Sequence, residues 1–224
     1  LMNLVDDPKP EIRRTVIEAL SSFRHSQIMP VLISALQDTD PQVRQEAVMA
    51  CGVRGKTDQT DTVVSALIPL LYDINLEICL KSAIALGKLG TPTAIQALAD
   101  CLHSSLTPNS LKQQIVRSLT QQETLHTLSI LTTSLTEQPP TVQTEIITHF
   151  GRWKTTEFKA SIAATLIQFF QNTPNAQNDS NVKCILAVAL GNLGVSEGQP
   201  LLSQLSQDET AIVRLHAESA DRKS

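Results

Sequence analysis

The chain has 224 residues and a formal net charge of -4; 42% of its residues are hydrophobic but only 3% are aromatic. A core so short of aromatics is filled with Leu, Ile, Val and Ala, which suits packed helices better than β-sandwiches. The charge argues against nucleic acid as a partner. Residues 1–112 carry ten Lys and Arg against twelve Asp and Glu, residues 113–224 carry eight against ten, and neither half has the basic excess that neutralises phosphates.

No apolar run reaches the roughly 18 residues of a membrane span, and no basic-then-apolar leader opens the chain. A soluble, cytoplasmic protein without membrane insertion is expected. Cys51, Cys79, Cys101 and Cys184 lie far apart with no CxxC pair, which points to reduced thiols used as small apolar residues rather than to zinc or disulfides.

In chain order, the turn Asp6-Asp7-Pro8-Lys9-Pro10 precedes a helical pattern from Glu11 to Leu20. Ile28 to Leu36 and Pro41 to Gly52 form a pair of helices around the turn Asp38-Thr39-Asp40, followed by Thr62 to Tyr72 with Leu76 to Gly87, and Thr93 to His103 with Ser110 to Leu119. Glu123 to Leu135 pairs with Val142 to Gly151. Glu157 to Gln171 pairs with Asn181 to Gly191 across a long, turn-rich connector near 172–178, and Gln199 to Leu205 pairs with Ala211 to Ala220. No strand is read.

The position of Val43 recurs as Ile12, Ile78, Leu111, Val142, Val182 and Val213. A spacing between 20 and 50 residues, each unit two helices, is the signature of an all-α superhelix, a solenoid of about seven helix pairs forming a single array over residues 1–224. Gly52, Gly87, Gly151 and Gly191 all fall at the same place after that position, where a left-handed helix stop is expected. Leu1 opens inside an apolar segment and Ser224 follows a fading helical pattern. Because solenoids protect their ends with polar caps, a further piece at one or both ends is expected.

The D-x-D-P-x-V-R-x-x-A unit of Asp38 to Ala47, echoed loosely by Asp208 to Ala217, resembles the HEAT repeat. The short period resembles in particular the HEAT-like repeats of phycobilin lyases and related phycobilisome proteins. The resemblance implies a ladder of turn acids and helix-start arginines, here Asp7 with Arg13, Asp38 with Arg44, and Asp208 with Arg214. Between these the pattern breaks: Cys79 replaces the arginine and Leu106 the acid, so apolar packing is expected to dominate the middle.

The same resemblance places the second helix of each pair on the concave side. At 100° per residue, positions aligned with Gln45 and Met49 point away from the core. Met49, Leu80 and Ile84 are then expected as an exposed apolar patch, with Arg117 and Arg152 as a basic spot beside it and Arg14, Gln45 and Gln113 on the same face. Burial of the patch by tight curvature is the alternative. For Phe150 and Trp153, core packing is favoured over an interface anchor.

Other constellations carry less. Ala50 to Thr57 is one residue short of a phosphate-binding loop, but it follows a helix C-terminus, whose dipole has the wrong sign for an anion. The five histidines are spread over five pairs with no ligand spacing for a metal. No catalytic grouping emerges. The expected function is a non-catalytic scaffold that holds another protein along its concave face, with no cofactor. The alternative, implied by resemblance in repeat style alone, is a bilin lyase subunit or a phycobilisome assembly or degradation factor, with phycocyanobilin or another bilin as cofactor and a phycobiliprotein as partner.

Overall fold

The computed structural model describes residues 1–23, 25 and 27–222, and among these every regular element is helical. The chain divides into two compact units, residues 1–122 and 123–224. No helix among the described residues is long and apolar enough to cross a membrane.

The first unit contains α1 (Pro10–Ser21), α2 (Ile28–Ala35), α3 (Pro41–Arg54), α4 (Thr60–Leu67), α5 (Leu76–Leu89), α6 (Pro92–His103) and α7 (Asn109–Leu119). A 3₁₀ turn at Met2–Leu4 stands where α1 would have a first-helix partner, and another at Ile68–Tyr72 extends α4. The second helices form the spine, α1 packing on α3, α3 on α5 and α5 on α7. The second unit contains α8 (Leu125–Glu137), α9 (Pro140–Phe150), α10 (Thr156–Asn172), α11 (Pro174–Asn178), α12 (Ser180–Leu193), α13 (Gln199–Leu205) and α14 (Ala211–Asp221). Its spine runs α9, α12, α14.

The repeated aspartate and proline explain the helix starts. Asp40 accepts hydrogen bonds from the N–H groups of Gln42 and Val43, and Pro41 occupies the first helical position, where its missing N–H costs nothing. Asp179 does the same for Asn181 and Val182. Three residues into each second helix stands the recurring apolar position. Val43, Ile78, Leu111, Val142, Val182 and Val213 are all buried, whereas Ile12 in α1 is only half-buried.

The connector near 172–178 carries a short helix: Pro174 starts α11, and the Gln177 side-chain amide donates to the carbonyls of Phe170 and Gln171 at the end of α10. One expectation needs correction. The four recurring glycines are not left-handed helix stops. Gly52, Gly87 and Gly191 lie inside α3, α5 and α12, and Gly151 follows α9 with a right-handed φ of -66°. The left-handed stops are Gly90 and Gly194.

These four glycines answer to packing. A Cβ on Gly52 would stand 2.8 Å from the Ala85 Cβ, on Gly87 2.6 Å from the Ser118 Cβ, on Gly151 2.5 Å from the Ala189 Cα, and on Gly191 2.5 Å from the Ala220 Cβ. Each is therefore a point where one second helix touches the next, and where backbone approach has displaced any side chain.

Candidate functional site: the second-helix faces

Within each unit, polar contacts of a ladder type link the turns of successive second helices. The Arg13 guanidinium donates through Nε and Nη2 to the two carboxylate oxygens of Asp38, both at 2.7 Å, and through Nη1 to the Asp7 carbonyl at 2.8 Å. Arg44 repeats this with the Asp73 carboxylate at 2.9 and 3.1 Å and the Asp38 carbonyl at 2.8 Å. In the second unit Lys183 donates to Asp208 at 2.6 Å, and Arg214 holds the Asp208 carbonyl at 2.8 Å.

Arg13 and Arg44 thus each grip the backbone of their own turn and the carboxylate of the next copy, whereas Lys183 reaches only the next carboxylate and Arg214 only its own turn's carbonyls. Asp73 and Lys183 escaped the sequence reading because it matched acid and arginine within one turn. Aligning each cation with the acid of the following copy would have found both. The chemistry is visible in the carboxylates. The hydrogen bond from Arg13 holds Asp38 below the usual carboxylate range against the opposing effect of burial, and the one from Lys183 lowers Asp208. At Asp73 burial pushes upward, but the Arg44 hydrogen bond, a backbone N–H and the nearby charge outweigh it.

Where the ladder lapses, the edge turns apolar. The Cys79 thiol donates to carbonyls of its own turn, Asp73 at 3.1 Å and Asn75 at 3.5 Å. Ile74 is 99% exposed and Leu106 92%, with Tyr72 and Leu76 exposed beside them around a cavity of about 280 Å³. The signal lay in the alignment: Ile74 and Leu106 occupy turn positions held by Thr39 and Asp38 in the preceding copies.

On the second-helix face of the first unit, Met49 is 40% exposed, but Leu80 and Ile84 are half-buried. The expected three-residue exposed patch is thus reduced to Met49, because α3 and α7 pack against α5 on either side. Around Met49 the face is charged. Arg14 donates to the Gln42 side chain at 3.1 Å, the Lys81 ammonium lies 3.6 Å from the Met49 sulfur and 3.9 Å from Glu77, and burial, then Glu18, push the Glu46 carboxyl upward. Gln45 and Gln113 are half-buried, and Arg117 is exposed.

In the second unit, Arg152 is exposed in the turn after α9. That turn is pinned by Glu123, whose carboxylate accepts from the N–H groups of Lys154 and Thr155 and from the Thr155 hydroxyl at 2.7 to 3.0 Å. Burial pushes the Glu123 carboxyl up, but these bonds bring it below its usual value. Phe150 and Trp153 are core residues, their rings edge-to-face with centroids 5.7 Å apart. Thr148 and Arg152, with α12 and His216 of α14, line a cavity of about 290 Å³ that also receives Cys184 and Val188. Val188 is 43% exposed, and Cys184 is the one cysteine not fully buried.

The segment resembling a phosphate loop is the end of α3 and a turn. Arg54 there donates to the Leu20 carbonyl at the end of α1, the capping role a helix C-terminus favours. Among the described residues, no group of three or more His, Cys, Asp or Glu is placed to hold a metal ion.

A family model described as HEAT repeats matches residues 1–71 and again residues 30–120. No curated protein sequence matches the chain. Among solved structures, the YibA protein of Escherichia coli is similar over 100% of this chain and 80% of its own, at 15% identity and a TM-score of 0.63. The complex of CpcE and CpcF of phycocyanin lyase from Nostoc sp. is similar over 86% of this chain and 75% of that chain, at 21% identity and a TM-score of 0.51. At these identities the likeness concerns the fold alone.

Proposed function

The chain belongs to the HEAT-repeat family, and from that premise we propose that it is a non-catalytic scaffold that holds a partner protein on its second-helix faces. The observation that carries this reading is the α9–α12–α14 face, where exposed polar side chains and the half-exposed Val188 surround one open cavity. Such a mixture of apolar surface and a polar rim is what protein interfaces use. The repeated positions are consumed by core and ladder, so specificity rests with residues that differ from copy to copy: Arg14 and Met49 in the first unit, Arg152, Cys184 and Val188 in the second.

The cavity volume sits at the lower end of the about 300–1,000 Å³ of small-molecule sites, which favours a partner's side chain over a whole cofactor such as phycocyanobilin. Adding phycocyanobilin to the protein should accordingly give no red-shifted, protein-bound spectrum.

The test is protection within the complex that the full chain forms with the protein it captures from its source cells. Alkylation of Cys184 by N-ethylmaleimide and oxidation of Met49 by peroxide should slow on at least one face when the partner is bound. Equal modification of both residues in the free and bound protein would overturn the reading.

A further inference from the structure

Several cations of this chain are committed to its own structure. Arg13, Arg44 and Lys183 serve the ladder, Arg214 and Arg54 hold carbonyls, and Arg14 and Lys81 have partners on their own face. Arg152 is different. Its guanidinium makes no hydrogen bond or ion pair among the described residues, and it lines the 290 Å³ cavity of the second unit. Asn181, Asn192 and His216 line the same cavity, and their side chains likewise have no internal hydrogen-bond partner among the described residues. No Asp or Glu lines it, while Val188 and Ile185 provide an apolar wall.

We propose that this cavity is a carboxylate-binding site, taking a carboxylate on a short aliphatic group that the bound partner presents. The proposal rests on the scaffold reading above and names what that face recognises. One guanidinium balances one monovalent anion, and its planar fork matches the two oxygens of a carboxylate. The two carboxamides and the imidazole add N–H donors, and the Val188 side chain covers the aliphatic stem. A phosphate fits less well, since it carries more charge than the one arginine offsets. The carboxylate could be a chain terminus or an Asp or Glu side chain, because the chemistry is shared.

The test titrates the full 224-residue chain with N-acetyl-L-leucine, with N-acetyl-L-leucinamide, which lacks the charge, and with the α-amide of N-acetyl-L-aspartic acid, observed by NMR. At least one of the two acids should shift the side-chain amide signals of Asn181 and Asn192, and which acid binds tighter separates terminus from side chain. The leucinamide should bind at least about tenfold more weakly than that acid, as expected for loss of a charge-assisted hydrogen bond. Arg152→Met should cause a similar loss, Arg152→Lys a smaller one, and Lys88→Met, at an exposed position on the other unit, none. Unchanged Trp153 emission and thermal unfolding would show that Arg152→Met is folded. Equal binding of acid and amide, indifference to Arg152→Met, or no shift at Asn181 and Asn192 with either acid would overturn the proposal. If partner capture persists in Arg152→Met while the probes fail, only the carboxylate site falls and the scaffold reading stands.

Discussion

Gly87 in α5 faces Ser118 in α7 so closely that a Cβ at position 87 would stand 2.6 Å from the Ser118 Cβ and 2.9 Å from its carbonyl oxygen. Glycine inside a helix costs about 1 kcal/mol relative to alanine, so Gly87→Ala would ordinarily stabilise. Here the overpacking penalty, about 1–3 kcal/mol, wins. Gly87→Ala should lower stability, by up to about 2 kcal/mol, in denaturant unfolding. Gly198→Ala, whose new methyl would meet Leu190 at an ordinary 3.4 Å, should leave it unchanged or raise it by up to about 1 kcal/mol.

The ladder gives stability a defined acid limb. Asp38, Asp73 and Asp208 have folded pKa values lowered from the model-peptide range. A lowered carboxylate contributes stability that is fully present above its unfolded value, about 3.9, and that is lost as pH falls through the folded value. The melting temperature should therefore hold down to about pH 4 and fall below it. Asp38→Asn should melt lower at pH 7, with a shallower acid limb, so that the gap to wild type closes as the pH falls toward about 2. A constant gap across that range would contradict the ladder's role.

The lapse at Cys79 and Leu106 is a missing rung. Cys79→Arg alone would place a guanidinium opposite an exposed leucine, and Leu106→Asp alone would add an unpaired surface acid. Together they should restore the geometry seen between Arg44 and Asp73. A double-mutant cycle should show favourable coupling of about 0.5–1 kcal/mol; zero coupling would mean the turn of the fourth copy does not follow the same path.

Cys184 should be the reactive thiol of the folded chain. Cys51, Cys79 and Cys101 are buried, and burial pushes the Cys51 thiol up to about 12. Cys184 is half-buried, raised by desolvation and then by Asp208, so its alkylation should be slow at pH 7 and quicken as the pH climbs above the ordinary thiol value of about 8.5. Mass spectrometry of the native protein should find one adduct at Cys184, and four after unfolding.

These relationships show which parts of the molecule could be read from residue order. The recurring Val43 position and the Asp-Pro helix start are local, so the order of helices was legible and the recurring position lies third in every second helix. The role of Gly87 was not, because its reason is a neighbour about thirty residues away, and a helix-internal glycine looks the same in sequence as a helix stop. Leu80 and Ile84 point away from their own pair, but adjacent second helices cover them. The exposed edge of Ile74 and Leu106 lies in turns, where helical periodicity assigns no face. Arg152 was found, yet its companions Asn181, Asn192 and His216 come from two other helices that only the fold brings together.

The central claim is that partners bind the second-helix faces, and the apolar edge at Ile74 and Leu106 is its natural rival. The most direct measurement compares capture of protein from the source cells by three forms of the full chain. These are wild type, a face variant with Arg14→Gln, Met49→Ser, Arg152→Gln and Val188→Ser, and an edge variant with Ile74→Ser and Leu106→Ser. All six positions are exposed, so all three forms should unfold at similar temperatures. The face variant is predicted to lose the partner that wild type and the edge variant both retain. Capture by the face variant at wild-type level, with loss in the edge variant, would contradict the account.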